Sequence, residues 1–200
     1  MNPKFRGKYR IESARLKGWD YRNAGAYFIT ICTKKRMHYF GAIVDGVMQL
    51  NDIGRAAEKY WAEIPDHFSV VALGNFVVMP NHVHGVLIIR ECGADVETLH
   101  CNVSTHCNVS TMSTSNNIND KNHPMSQISP LSGSISTIIR SYKSIVSKMV
   151  RQQFDASFEW QARFHDHIIR DQRAYEAIEY YIENNPANWQ RDTLNSDCKK

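Results

Sequence analysis

Two histidines and a tyrosine carry most of the chemistry in this sequence. In Met79-Pro80-Asn81-His82-Val83-His84-Gly85 the histidines stand two apart in an apolar stretch that reads as a strand. Residues two apart in a strand point to the same face, so the imidazoles lie side by side. Neutral imidazoles so placed can fill two positions on one divalent cation. A pair of surface histidines is the plainer alternative. Against it, polar groups in a hydrophobic strand are costly to bury unless something binds them. A second pair, His165-Asp166-His167, also falls in a predicted strand, among Arg163 and Arg170. Ordinary hydrogen bonding or phosphate contact is the expectation there.

The tyrosine comes from Glu179-Tyr180-Tyr181-Ile182-Glu183-Asn184-Asn185-Pro186. Residues four apart share a helix face, which puts Tyr181 beside Asn185 and equally Tyr180 beside Asn184. A phenol with an ordinary pKa near ~10 is a weak nucleophile and needs a metal or cationic surroundings. A side-chain amide oxygen suits a hard cation such as Mg²⁺ or Mn²⁺ as a third ligand. Metal, histidine pair and tyrosine together would make a phosphoryl-transfer site. The competing reading is two half-buried aromatics on an amphipathic helix.

These groups must be positioned by a chain of 200 residues that is 42% hydrophobic, enough for one folded core and too apolar for full-length disorder. Gly25–Thr33 is β-branched and aromatic, a strand, and Gly41–Leu50 reads as a short strand or hairpin around Asp45-Gly46. Asn51 is a candidate N-cap for a helix with apolar positions Ile53, Ala56, Ala57, Tyr60, Trp61 and Ile64, closed by Pro65. Phe68–Met79, bent at Gly74-Asn75, and Val83–Arg90 are the next strands. A helix follows over 135–153 with an apolar stripe from Ile135 to Val150, then a strand from Phe158 to Ile169, and a helix from Asp171 to Asn184 stopped by Pro186.

This order predicts an α+β fold, a ferredoxin-like (split βαβ) antiparallel sheet with helices on one face, plus an extra C-terminal helix carrying the nucleophile. Residues 1–24 form a basic arm, 25–190 the domain and 191–200 a tail. An insertion at 93–131 interrupts the domain. Its repeat, His100-Cys101-Asn102-Val103-Ser104-Thr105 followed by His106-Cys107-Asn108-Val109-Ser110-Thr111, reads as a duplicated linker, because the spacing fits no common zinc module.

The charge balance, 24 Lys and Arg against 20 Asp and Glu, is only mildly basic, but it is unevenly spread. The basic arm and the acid-free helix with Arg140, Lys143, Lys148 and Arg151 suit a phosphate backbone, and Arg163, Arg170 and Arg173 could lie nearer a cut strand. A solvated helix face and a loose tail would look the same from charge alone. No apolar run reaches the ~18 residues of a membrane span. The basic N-terminus lacks the apolar stretch of a secretory signal. With an odd number of cysteines, 5, the expectation is a cytoplasmic protein with reduced thiols and no membrane partner.

Four stretches together resemble a known family: Gly25–Thr33, Met79–Gly85, Trp160–Arg170 and Tyr181–Pro186. They are similar to the HUH-type single-strand DNA transposases with one catalytic tyrosine, in particular the REP-associated tyrosine transposases. The resemblance implies a ferredoxin-like fold, His82 and His84 as the metal-binding pair, Tyr181 as nucleophile and Asn185 as a further ligand. It implies Mg²⁺ or Mn²⁺ as cofactor and single-stranded DNA with hairpins as partner. It also implies cleavage and strand transfer through a 5′-phosphotyrosine, by a monomer or homodimer. The register of the family, not helical geometry, selects Tyr181 over Tyr180. Two rival readings are a non-catalytic nucleic-acid-binding module on the same sheet and a metal-independent phosphodiesterase using His82 and His84 as acid and base.

Overall fold

Alternating apolar residues build the central strand β1, Gly25–Cys32, and everything else in the molecule is arranged around it. A computed structural model describes residues 18–90 and 133–195. The expectations for the basic arm before residue 18, for the 93–131 insertion and for residues 196–200 lie outside the described residues. After β1 come the hairpin strands β2 (Gly41–Val44) and β3 (Val47–Leu50), then helices α1 (Asp52–Ala62) and α2 (Ile64–His67). Strands β4 (Val71–Met79) and β5 (His82–Ile89) follow, then α3 (Ile135–Gln153), β6 (His165–Ile169) and α4 (Gln172–Asn184).

The main sheet has the order β4-β5-β1-β6, and every neighbouring pair is antiparallel. With the β2–β3 hairpin set aside, the chain runs β-α-β-β-α-β, which is the split βαβ plan. The fold class is the one expected. Strand alternation divides the sheet into two faces. Tyr27, Ile29 and Ile31 of β1 and Val83, Leu87 and Ile89 of β5 join Trp61 of α1 and Ile138, Ile139, Tyr142 and Val146 of α3 in the large core. On the opposite face, Ala26, Phe28, Val86 and Ile88 pack against Ala174, Tyr175, Ile178 and Ile182 of α4. The extra helix therefore covers the face that the other two leave bare, and Tyr181 travels with it.

Local chemistry fixes the element ends. Asn51 Oδ1 accepts from Gly54 N at 2.9 Å, and Asp171 Oδ1 accepts from Ala174 N at 2.8 Å, so both helices start on side-chain caps. Asp45 and Gly46 both take left-handed backbone angles (φ 51° and 75°), as a two-residue hairpin turn requires. A bulge separates Leu73 from Phe76, at the bend expected from Gly74-Asn75.

Beyond shifts of one residue at the ends of β1 and β5, the main departures from the expected boundaries lie elsewhere. Pro65 does not merely close α1; it lies in the first turn of α2, where its missing N–H costs nothing. The strand expected from Phe68 begins at Val71. The strand expected over 158–169 is reduced to His165–Ile169. Upstream of it, Phe158 is fully buried against Tyr39 and Phe40, and Trp160 makes only an isolated bridge to Thr33. These aromatics plug the end of the core from an irregular loop, so their apolarity reflected burial and not strand.

Gly85 marks a close contact between helix α1 and the sheet. A Cβ there would lie 2.5 Å from the Trp61 ring and 2.8 Å from Phe76 Cβ. Gly85→Ala should lower unfolding stability by about 1–3 kcal/mol through overpacking, more than the ~0.5–1 kcal/mol that replacing a strand glycine returns. Denaturant titration measures it, and an unchanged midpoint would refute the tight fit.

Candidate active site

The site starts from β5, whose first residues place His82 and His84 on the α4 face of the sheet, 0% and 2% exposed. Their ring centroids are 4.4 Å apart. Each imidazole is oriented through Nδ1. Asn81 Oδ1 accepts from His82 Nδ1 at 2.7 Å. The Asn81 amide is itself fixed, because its Nδ2 donates to Leu194 O at 2.9 Å and to Arg36 O at 3.3 Å. With its proton on Nδ1, His82 presents a bare Nε2. Thr30 Oγ1 lies 2.9 Å from His84 Nδ1. The Tyr181 hydroxyl is 3.2 Å from His84 Nε2. A neutral His84 that donates from Nδ1 to Thr30 accepts the Tyr181 hydroxyl at Nε2.

Aromatic packing holds this arrangement. Phe28 stacks on His84 with centroids 5.2 Å apart and meets Tyr181 edge-on at 6.0 Å. Trp189, in the short 3₁₀ turn Trp189–Arg191 beyond α4, sits 6.0 Å from the His82 ring. That turn delivers Asp192. Its Oδ2 is 3.9 Å from His82 Nε2 and accepts from Asn185 Nδ2 at 3.3 Å. Its Oδ1 accepts from Leu194 N at 2.7 Å.

Burial sets the protonation states. It pushes the His82 pKa down to about 3, with the Arg36 charge adding to it, and pushes His84 in the same direction, helped by His82. Both rings are neutral at pH 7. Burial also raises the Tyr181 pKa, reinforced by the Asp192 carboxylate and opposed by the hydrogen bond from Asn185. The phenol is thus no better a nucleophile here than in water until positive charge arrives.

The donors fit a divalent cation. His82, His84 and Asp192 each offer one ligand atom, all within 4.8 Å of one another. His82 Nε2 and Asn185 Oδ1 are buried and have no hydrogen-bond partner. Unpaired buried acceptors are costly, and a cation would satisfy both. Two imidazoles, a carboxylate and an amide oxygen form the mixed N,O set that such ions accept.

Tyr181, His82, His84 and Asn185 are therefore gathered in one place. Tyr181 is 41% exposed, whereas Tyr180 is 69% exposed and turned away. Asp192 falls in the stretch expected to be a tail, yet it belongs to the site. The signal that could have found it is Trp189, an aromatic past Pro186 that marks continued packing. Thr30 and Asn81 belong to the site as well, although neither stands out by residue type or spacing. His165 pairs with Thr30, whose other neighbour is His84, so the second histidine pair shares the site face. Arg140, Lys143 and Arg151 line a groove along α3, whereas Lys148 is exposed elsewhere on that helix. Arg163 precedes β6 at the histidine end, but Arg170 and Arg173 lie at the other end of β6 and the start of α4.

No family model matches the chain. It is 36% identical over 191 residues to an uncharacterized protein of Haemophilus influenzae, covering 96% of this chain and 96% of that one. Its fold is similar to that of a REP-associated tyrosine transposase bound to a REP hairpin. That likeness has a TM-score of 0.54 at 16% identity and covers 90% of this chain and 74% of that one. Among the described residues, no helix is long and apolar enough to cross a membrane.

Two outcomes are expected from this geometry. Asp192→Ala should weaken Mn²⁺ binding, followed by calorimetry, about tenfold or more. Unfolded histidine protonates near ~6.5, whereas folded His82 does so only at about 3, so between those values the unfolded chain holds more protons. Stability should therefore fall as pH drops below ~6.5, by up to about 1.4 kcal/mol per pH unit from His82 alone. Denaturant midpoints at several pH values test this, and a flat profile would contradict the buried neutral ring.

Proposed function

The chain belongs to the family of that Haemophilus influenzae protein and has the fold of a REP-associated tyrosine transposase, and we propose that it cuts and rejoins single-stranded DNA through Tyr181. The observation that carries this reading is the Tyr181 hydroxyl 3.2 Å from His84 Nε2, beside a buried His-His-Asp cluster. In this reading the partner is single-stranded DNA with hairpin structure; the neighbour whose fold it shares is bound to a REP hairpin.

In this mechanism His82, His84, Asp192 and Asn185 would hold a Mg²⁺ or Mn²⁺ ion, with the Tyr181 hydroxyl releasing His84 Nε2 to it, and the ion would supply positive charge against the scissile phosphate and the leaving oxygen. The chain does the rest. Asn81 and Thr30 hold the imidazoles with Nε2 facing inward. Phe28 and Ile182 fix the end of α4, so the phenol is presented and does not wander. Tyr181 Oη gives up its proton to solvent water and forms a bond to phosphorus. The bond from phosphorus to the 3′-oxygen breaks, and that oxygen takes a proton back from water to leave as a free 3′-hydroxyl. A 5′-phosphotyrosine remains. Attack by a 3′-hydroxyl reverses these steps and reseals a strand. One phosphodiester is exchanged for another, so no nucleotide hydrolysis is required, and the sequence has no Walker-type phosphate loop.

Incubation with a hairpin-bearing oligonucleotide and Mn²⁺ should give a protein–DNA adduct that survives denaturing electrophoresis. Tyr181→Phe should abolish it, Tyr180→Phe should leave it, and EDTA should suppress it. A binding module yields no adduct at all. A histidine acid–base phosphodiesterase cuts in EDTA without accumulating a covalent species, and either result would overturn the proposal.

A further inference from the structure

The catalytic reading leaves two features unused: the acid-free helix α3 and the second histidine pair. They meet at one edge of the molecule. A groove of about 830 Å³ runs along α3, with Lys35, Arg140, Lys143 and Arg151 supplying positive charge and Trp160 and Phe164 supplying rings. Among the described residues its one acid, Glu159, is paired with Lys34. The walls are braced. Trp160 Nε1 donates to Lys143 O at 3.2 Å, Arg151 Nε donates to Phe158 O at 2.8 Å, and Lys143 Nζ donates to Gln161 O.

The groove opens on the α3 face of the sheet, and the Tyr181 site lies on the other. Edge strand β6 joins them. Phe164 belongs to the groove, and the next residue, His165, points to the site face. In the row across the sheet, His84 is followed by Thr30 and then His165. Two strand spacings, about 10 Å, therefore separate His84 from His165. His165 and His167 are both exposed on this face, and an imidazole N–H can donate to a phosphate oxygen.

We propose that the groove along α3 binds the single-stranded DNA flanking the bond cut at Tyr181, and that this strand leaves the site over His165 and His167 and passes around β6. The inference rests on the reading above and names where that substrate continues. Charge complementarity requires a polyanion. The rings in the groove choose an unpaired strand, because stacking needs exposed base faces and tolerates any sequence.

The test uses the full chain carrying Tyr181→Phe, so that covalent capture does not intervene. Fluorescence anisotropy follows binding of one hairpin bearing unpaired flanks of increasing length, over a range of salt concentrations. Affinity should rise with flank length. Lys35→Glu/Arg140→Glu should lose about tenfold or more on the longest flank and little on the bare hairpin, and its log–log salt slope should fall by roughly 1.4 for two single-strand phosphate contacts. His165→Ala/His167→Ala should flatten the dependence on length. Arg55→Glu/Lys59→Glu, an equal charge change on the exposed side of α1, should do neither. Lys35→Glu alone, with an unfolding midpoint equal to that of the parent chain, guards against misfolding and should give about half the change in slope. Wild-type affinity for long flanks in the groove variant would overturn the proposal, as would an equal loss on the bare hairpin, which would make the groove a duplex site. The two readings fail separately. Flank-dependent binding without any Tyr181 adduct in the unmutated chain removes the cleavage, and an adduct indifferent to the groove removes the path.

Discussion

Burial of two uncharged imidazoles on one strand face is the constraint that organises the rest of this molecule. Each ring has its Nδ1 engaged by a neighbouring polar group, which leaves the Nε2 atoms pointing into a crowded space under α4. Such a space is expensive to close. It tolerates a phenol, a carboxylate and an amide because these groups partly satisfy one another, and His82 Nε2 and Asn185 Oδ1 remain as bare acceptors. Helix α4 and the turn after it are thus more than a cover for the sheet. Ile178 and Ile182 supply the apolar contacts that hold the helix down, and the polar residues between and after them complete the pocket.

Much of this was readable in the residues, for reasons of periodicity. The strand alternation around His82 and His84 survives in the structure because one face of β5 must meet α1, whose Trp61 leaves room only for Gly85. The amphipathic stripe of α3 and the caps at Asn51 and Asp171 are local, and local rules found them. The loop holding Phe158 and Trp160 reads as a strand because a buried aromatic looks the same to a sequence pattern whether it sits in a strand or a plug. Asp192 escaped for a different reason. Its approach to His82 depends on how the chain turns after Pro186, a tertiary event without a repeat to announce it. Tyr181 and Tyr180 are equivalent by helical spacing, and only the packing of α4 on Phe28 and His84 separates them.

The sheet also explains how one small domain can present two unlike surfaces. Its faces are covered by different helices, α1 and α3 on one and α4 on the other, so the apolar demands of each face are met independently. Their shared boundary is β6, a short strand at the sheet edge with polar and apolar residues in alternation. An edge strand of this kind is protected from pairing with other strands by its brevity and its polar side chains.

The membership of the pocket carries a last consequence, in its charge. His82, His84 and Asn185 are neutral, and Asp192 is the sole formal anion in the set. A doubly charged ion held there would be only half neutralised by the protein. The surplus unit would remain directed outward at the mouth where Tyr181 stands, so the same economy of acidic ligands that weakens the grip on the ion would strengthen its pull on an incoming phosphodiester.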